Sequence, residues 1–369
     1  QEQSIWQLIR RLTTVFHLSL NDCMNYSLDY IGHPHQLYGA VPYQYAQGKA
    51  KGVKAIAVKN GAGLEVNILE DRCLDISHLS YKGINLSYLS KCGIVGPEYY
   101  DKTGYEFLQS FFVGFLTTCG LRHIGAPCTA DGESFGLHGS ISGIPAEETT
   151  ACVDETDGNK VIRVSGIMRE ARIFRENLIL RRSYEIPVGQ NHFIIRNKIM
   201  NMGFVAEQFM FMLHMNFGYP LLSPDAMLVL PSAEIEPRDK DARAGLTSYE
   251  SINEPVSRYR EQVYFHRLKS KANGQTSVGL DNKTLRTGVI LSYSTKDFPY
   301  TIQWKQFAKG DYVLGIEPAS CKMTGREKAQ EEGTMDYLMP QKSADFDVRV
   351  DILDGERAID QFINDVNQL

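Results

Sequence analysis

The sequence predicts a mainly β protein: one large β-sandwich domain over residues 1–369 with a few peripheral helices. Three observations carry that expectation. Short β-branched or aromatic segments recur along the chain, each bounded by Gly, Asn, Asp or Pro. Helical stretches do not alternate with them, so the βαβ rhythm of a parallel sheet is missing. Helical spacing of apolar residues is concentrated at the two ends.

Taken in order, Ile5, Leu8, Ile9, Leu12 and Phe16 form one apolar stripe and predict a peripheral helix within 1–20. The segments "VKAIAVKN" and "LEVNILE" then read as strands. Residues 97–112, "PEYYDKTGYEFLQSFF", predict a short helix or a structured loop. Strands follow at "KVIRVSGIM", "LILRRSYEI" and "HFIIRNKIM", the last two joined through "PVGQNH" as neighbours. "AMLVLPS", "GVILSYS", "YTIQWKQF", "YVLGIE" and "DFDVRVDIL" continue the pattern. Residues 233–275 are charged and rich in turn residues, and read as surface loops between strands, either a solvated connection or a pocket rim. Ile359, Phe362, Ile363 and Val366 predict a closing helix within 355–369.

The apolar fraction of 43% and charged fraction of 22% are those of a water-soluble globular protein. A net charge of −5 does not suggest nucleic acid or an anionic membrane as a partner. No run approaches the roughly 18 apolar residues of a membrane span. Seven cysteines without a CxxC argue against a disulfide framework. The first residues lack a signal-peptide pattern, so a cytoplasmic location is expected.

Three stretches hold candidate chemistry. In a strand over "AEQFMFMLHMNFGYP", Phe209, Phe211 and Leu213 face one way, and Met210, Met212, His214 and Asn216 the other. An isolated histidine there is a satisfied core residue or faces a pocket. "DGESFGLHGSISG" sets His138 among glycines that permit close approach of a ligand. In "DYVLGIEP", Val313, Gly315 and Glu317 share a face, and Gly315 leaves room beside the carboxylate. That carboxylate either faces a pocket or pairs with Arg326 or a lysine. Arg72, in "LEDRCLDISHLS", either holds a substrate through its fork of donors or pairs with Asp71 or Asp75. Nucleotide-binding, zinc-protease and α/β-hydrolase signatures are absent. His138, His214 and Glu317 lack the short spacings of a zinc site, so no metal or other cofactor is expected.

At these residues the chain resembles the galactose mutarotase (aldose 1-epimerase) superfamily, and within it the DUF4432 branch. "DRCLDIS" (71–77), "GFLTTCGLRHIGAP" (114–127), "LHGSISGIPA" (137–146), "LHMNFGYPLL" (213–222), "WKQFAKGDYVLGIEPAS" (304–320) and "GREKAQEEG" (325–333) carry the resemblance, in order, over roughly 65–350. It implies a twisted β-supersandwich whose concave face binds a sugar. It also implies a histidine acid, a glutamate base, and a second histidine and an arginine holding the sugar. By motif these are His214, Glu317, His138 and Arg72. Mutarotases place their arginine shortly before the first histidine, nearer Arg122 here. They also have an Asn-His-x-Tyr context at the acid, whereas "MNFGYP" follows His214, which makes Asn216 a replacement sugar contact. Lys305 completes the candidate substrate contacts.

Anomer exchange requires proton removal from the anomeric hydroxyl, proton delivery to the ring oxygen, a bond rotation and closure. An ionised glutamate and a protonated histidine supply those transfers if their surroundings keep both charges. The expected partner is a small-molecule sugar. A non-catalytic sugar-binding protein, or a lyase or epimerase of other specificity, is compatible with the same fold.

Overall fold

The computed structural model describes residues 30–369 apart from Asp157. The helix expected within 1–20 lies outside the described residues. Most of the chain is antiparallel β structure. One large sheet has nine strands, including the long hairpin Asn177–Pro187 and His192–Asn201. A second has seven, and a third of five strands begins at Tyr38–Gln44. The "PVGQNH" connection does join two paired strands, as the sequence predicts.

The seven-stranded sheet carries the site. Its spatial order runs from Ser232–Pro237 through Gln262–Leu268, Tyr300–Ala308 and Asp311–Ala319 to Glu207–Phe217. Leu116–Leu121 and Asp336–Leu338 also pair with Glu207–Phe217. The alternation along Glu207–Phe217 divides two interiors. Phe209, Phe211, Leu213 and Met215 join a core containing Ile162, Leu180 and Phe193 of the nine-stranded sheet and Ile56 and Val66 of the five-stranded one. Met210 and Met212 join a separate apolar cluster with Val263 and Ile302 on the opposite face. Burying the first set removes large apolar surfaces from water at roughly 25 cal/mol per Å², which fixes the strand's register.

One departure from the sequence reading, and one stretch it left between two alternatives, matter for function. Residues 233–275 contain Ser232–Pro237, the one-turn helix Lys240–Ala244 and Gln262–Leu268, so the sheet extends into a stretch expected to be loops. Residues 97–112 form two short 3₁₀ turns, Pro97–Tyr99 and Glu106–Gln109, which lead into Phe111 and Phe112. The closing helix is Glu356–Asn367, packed through Ile359, Phe362 and Val366.

Candidate active site

Glu207–Phe217 and Asp311–Ala319 are antiparallel neighbours. Met212 pairs with Ala319 and Asn216 with Gly315, so this register sets His214 directly opposite Glu317. His214 Nδ1 and Glu317 Oε1 are 3.3 Å apart. The approach is a close contact and not a hydrogen bond, because Nδ1 directs its hydrogen to Asn216 Oδ1 at 2.7 Å. Among the described residues neither Glu317 oxygen has a hydrogen-bond partner. Of the two fates expected for Glu317, pocket or pairing with Arg326 or a lysine, the structure gives the pocket. Arg326 instead donates to the Arg122 carbonyl at 2.7 Å.

Both groups open onto a cavity of about 330 Å³, with His138 on its wall. Aromatic rings frame them. Phe111 and Trp304 approach the His214 ring edge-on, with centroids 5.3 and 5.2 Å away, and His138 lies perpendicular to it at 5.8 Å. Phe107 packs on His138 at 5.5 Å. Phe107 and Phe111 come from the 97–112 stretch, which therefore builds a wall of the cavity.

His138 adopts a left-handed backbone conformation, φ 61°, uncommon for a residue with a side chain and found where a site demands a fixed orientation. Its Nδ1 accepts the Gly125 N–H at 3.4 Å, which leaves Nε2 as a donor. Gly125 is itself held by His123, whose Nε2 donates to the Gly125 and Ala126 carbonyls at 3.2 and 3.0 Å. A Cβ at Gly125 would press on the Met323 carbonyl and Gly325 nitrogen, at 2.8 Å each.

Burial decides the charge states. Loss of hydration holds His214 down at about 4 and His138 well below the ordinary imidazole range. The same loss pushes Glu317 well above the usual carboxylate range, with nearby Glu261 adding to the rise. Burial therefore opposes the charged form of both groups, and favours a neutral imidazole beside a protonated carboxyl over the protonated histidine and ionised glutamate expected from the sequence. The pair still contains one exchangeable proton.

The remaining sequence candidates lie elsewhere. Arg72 is fully enclosed and donates to the carbonyls of Ser142 at 2.8 Å, Val95 at 2.6 Å and Ser110 at 3.2 Å. It pairs with neither Asp71 nor Asp75. Asp75 is held by Arg182 at 2.7 Å, and Asp71 accepts the Lys54 N–H. Arg122 pairs with Glu133 and Glu176 beside a different cavity. Lys305 donates to the Ser248 and Ser251 carbonyls at 3.0 and 2.9 Å, and burial lowers its ammonium to about 8. Asn216 shares the face of His214 but turns back onto the imidazole and the His214 carbonyl. None of these four lines the cavity around His214.

Two residues that sequence reading missed do line it. Arg238 donates to Asp239 at 2.8 Å and to Glu261 at 2.7 Å, and Glu261 also accepts the Trp304 indole N–H at 3.0 Å. The signal available was the apolar run in "QVYFHRL", which marks a strand; Glu261 immediately precedes it and Arg238 immediately follows Ser232–Pro237. Among the described residues no His, Cys, Asp and Glu side chains are grouped as metal ligands would be. No described helix is long and apolar enough to cross a membrane.

The family model "Domain of unknown function (DUF4432)" matches residues 50–352. No curated protein matches the sequence. The fold is similar to that of a candidate aldose 1-epimerase from Klebsiella pneumoniae, with TM-score 0.84 and 21% identity, covering 90% of this chain and 92% of that one. A galactose 1-epimerase from Lactobacillus acidophilus matches with TM-score 0.57 and 13% identity, covering 86% and 100%. A galactose mutarotase-like protein from Clostridium acetobutylicum also matches with TM-score 0.57 and 13% identity, covering 86% and 99%.

Proposed function

Because the chain belongs to the DUF4432 family and has a galactose mutarotase-like fold, we propose that it interconverts the anomers of a sugar by acid–base catalysis at His214 and Glu317. The observation that carries this reading is the cross-strand opposition of these two residues at 3.3 Å, at the wall of an aromatic-framed cavity.

Ring opening moves two protons. In this reading the Glu317 carboxyl, whose burial favours the protonated form, starts with the proton. That carboxyl delivers it to the ring oxygen while His214 takes the proton of the anomeric hydroxyl. The C1–O5 bond breaks as the C1=O bond forms, giving the open aldehyde. Rotation about C1–C2 and closure with the transfers reversed give the other anomer and restore both groups. A positioned acid or base contributes about 10²–10⁴-fold to such a step.

The walls suit a ring with one apolar and one hydroxylated side. Phe107, Phe111 and Trp304 offer aromatic surface, His138 a donor, and Glu261 with Arg238 an acceptor and donor for hydroxyls. Arg238 already faces Asp239 and Glu261. Charge in the cavity is thus locally balanced, which favours a neutral sugar over a phosphorylated or acidic one.

The test is exchange NMR of anomeric protons over a panel of neutral, acidic and phosphorylated aldoses, comparing wild type with Glu317→Gln. Acceleration by wild type and its loss in the variant support the reading. Binding without acceleration across the panel replaces it with a sugar-binding role. New products replace it with a lyase or another epimerase.

A further inference from the structure

We propose that Asn216 is a positioning residue for His214: its side-chain amide selects one imidazole tautomer, making Nε2 the ring nitrogen that exchanges protons with a bound ligand. The inference deepens the acid–base reading of the site and rests on it for its kinetic consequence, but the tautomer itself is independent of any reaction.

The hydrogen-bond network around Asn216 leaves one assignment. One end of its amide lies between the His214 carbonyl at 2.7 Å and the Val113 carbonyl at 3.3 Å. Carbonyls only accept, so that end is the NH₂ group, and the other end is the oxygen. The oxygen lies 2.7 Å from His214 Nδ1 and can only accept. Nδ1 therefore carries a hydrogen, and in a neutral imidazole Nε2 carries the lone pair. Glu317 Oε1, the other group near Nδ1, adds to the same preference whenever it accepts.

The arrangement is protected from rearrangement. Asn216 is fully buried, and its cross-strand partner is Gly315, which places no side chain beside the amide. Phe111, Trp304 and His138 all pack on the imidazole at steep interplanar angles, which restricts rotation of the ring. A partner that orients a reacting histidine through its second nitrogen governs tautomer and basicity without touching the ligand.

Long-range ¹H–¹⁵N NMR on ¹⁵N-histidine-labelled full-length protein, without ligand and near neutral pH, tests the assignment directly. His214 is identified by the resonance lost in His214→Gln. A protonated Nδ1 and an unprotonated Nε2 are expected; the opposite pattern overturns the proposal. This wild-type measurement holds whether or not the variants fold or the sugar reading survives.

The variants test the consequence. Asn216→Asp retains an acceptor and makes it anionic, so the His214 titration should move to higher pH, with the acidic limb of the rate profile following it. Asn216→Leu removes the acceptor and should lower kcat by about 10–100-fold with little change in KM, while Asn216→Ser restores part of the loss. A raised KM with kcat and pH profile unchanged in Asn216→Leu would make Asn216 a direct sugar contact and sink the positioning role. Absence of turnover with every sugar, alongside the expected tautomer, would count against the acid–base reading alone.

Discussion

Gly315 and Glu317 lie two residues apart on the same face of Asp311–Ala319, and a Cβ at Gly315 would overlap the Glu317 carboxylate at Oε1. It would also approach Trp304 Cβ at 3.2 Å. The glycine is thus the recess into which the candidate acid folds. Gly315→Ala should displace the carboxyl from His214 and lower kcat by at least about tenfold, since small misplacements of a reacting group are costly. Overpacking should also cost about 1–3 kcal/mol of stability. Anomer-exchange rates and urea denaturation of the same preparation check both, and an unchanged rate would remove Glu317 from the chemistry.

The pH–rate profile should be bell-shaped. On the acidic side, activity should fall as pH drops through about 4, where His214 gains a second proton. On the alkaline side it should fall as Glu317 loses the proton that burial holds above the usual carboxylate range. The profile counts one proton shared by the pair and has the same shape whichever partner carries it. A rate independent of pH across both limbs would contradict the assignment.

Glu317 should also weaken the fold. Its proton is held more tightly in the folded chain than in the unfolded one, where the ordinary value is 4.5. The stabilising linkage is therefore fully present below about pH 4.5 and is lost as pH rises through the raised folded-state value. Glu317→Gln removes the ionisation, so its advantage over wild type should be small near pH 4.5 and grow with pH to about 1–3 kcal/mol. Thermal unfolding across that range decides; a variant less stable than wild type at alkaline pH would mean the carboxylate has a partner.

Arg72 should behave as a structural residue. Arg72→Leu strands the carbonyls of Ser142, Val95 and Ser110 in the interior, each at about 1–3 kcal/mol. A lowered urea midpoint with KM for the sugar unchanged is expected in the fraction that folds. A raised KM at full stability would return Arg72 to the substrate.

The contrast between these residues shows what could be read from the chain. Alternation over Glu207–Phe217 separated Phe209, Phe211 and Leu213 from Met210, Met212 and His214, because a strand between two apolar layers has only two faces to assign. The room beside Glu317 was legible for the same reason. Arg72, Arg122 and Lys305 were not, since a substrate-binding cation and one that satisfies buried carbonyls or carboxylates look alike in sequence. The partners that distinguish them arrive from distant segments, as Ser142 does for Arg72. Asn216 was placed on the correct face, but at short range its amide met the neighbouring imidazole first. Arg238 and Glu261 were hidden by their surroundings: each lies just outside a strand in a charged, turn-rich stretch, and Ser232–Pro237 is too polar to stand out as part of a sheet.

Trp304 presents its ring to His214 and anchors its indole N–H on Glu261, so its environment belongs to the cavity itself. The chain has two tryptophans, Trp6 and Trp304. In a Trp6→Phe background the tryptophan emission, excited beyond the absorption of the tyrosines, therefore arises from the cavity wall alone. A ligand that displaces water there or competes for Glu261 alters that emission, giving the molecule a built-in optical gauge of occupancy that works for silent substrates and inactive variants alike.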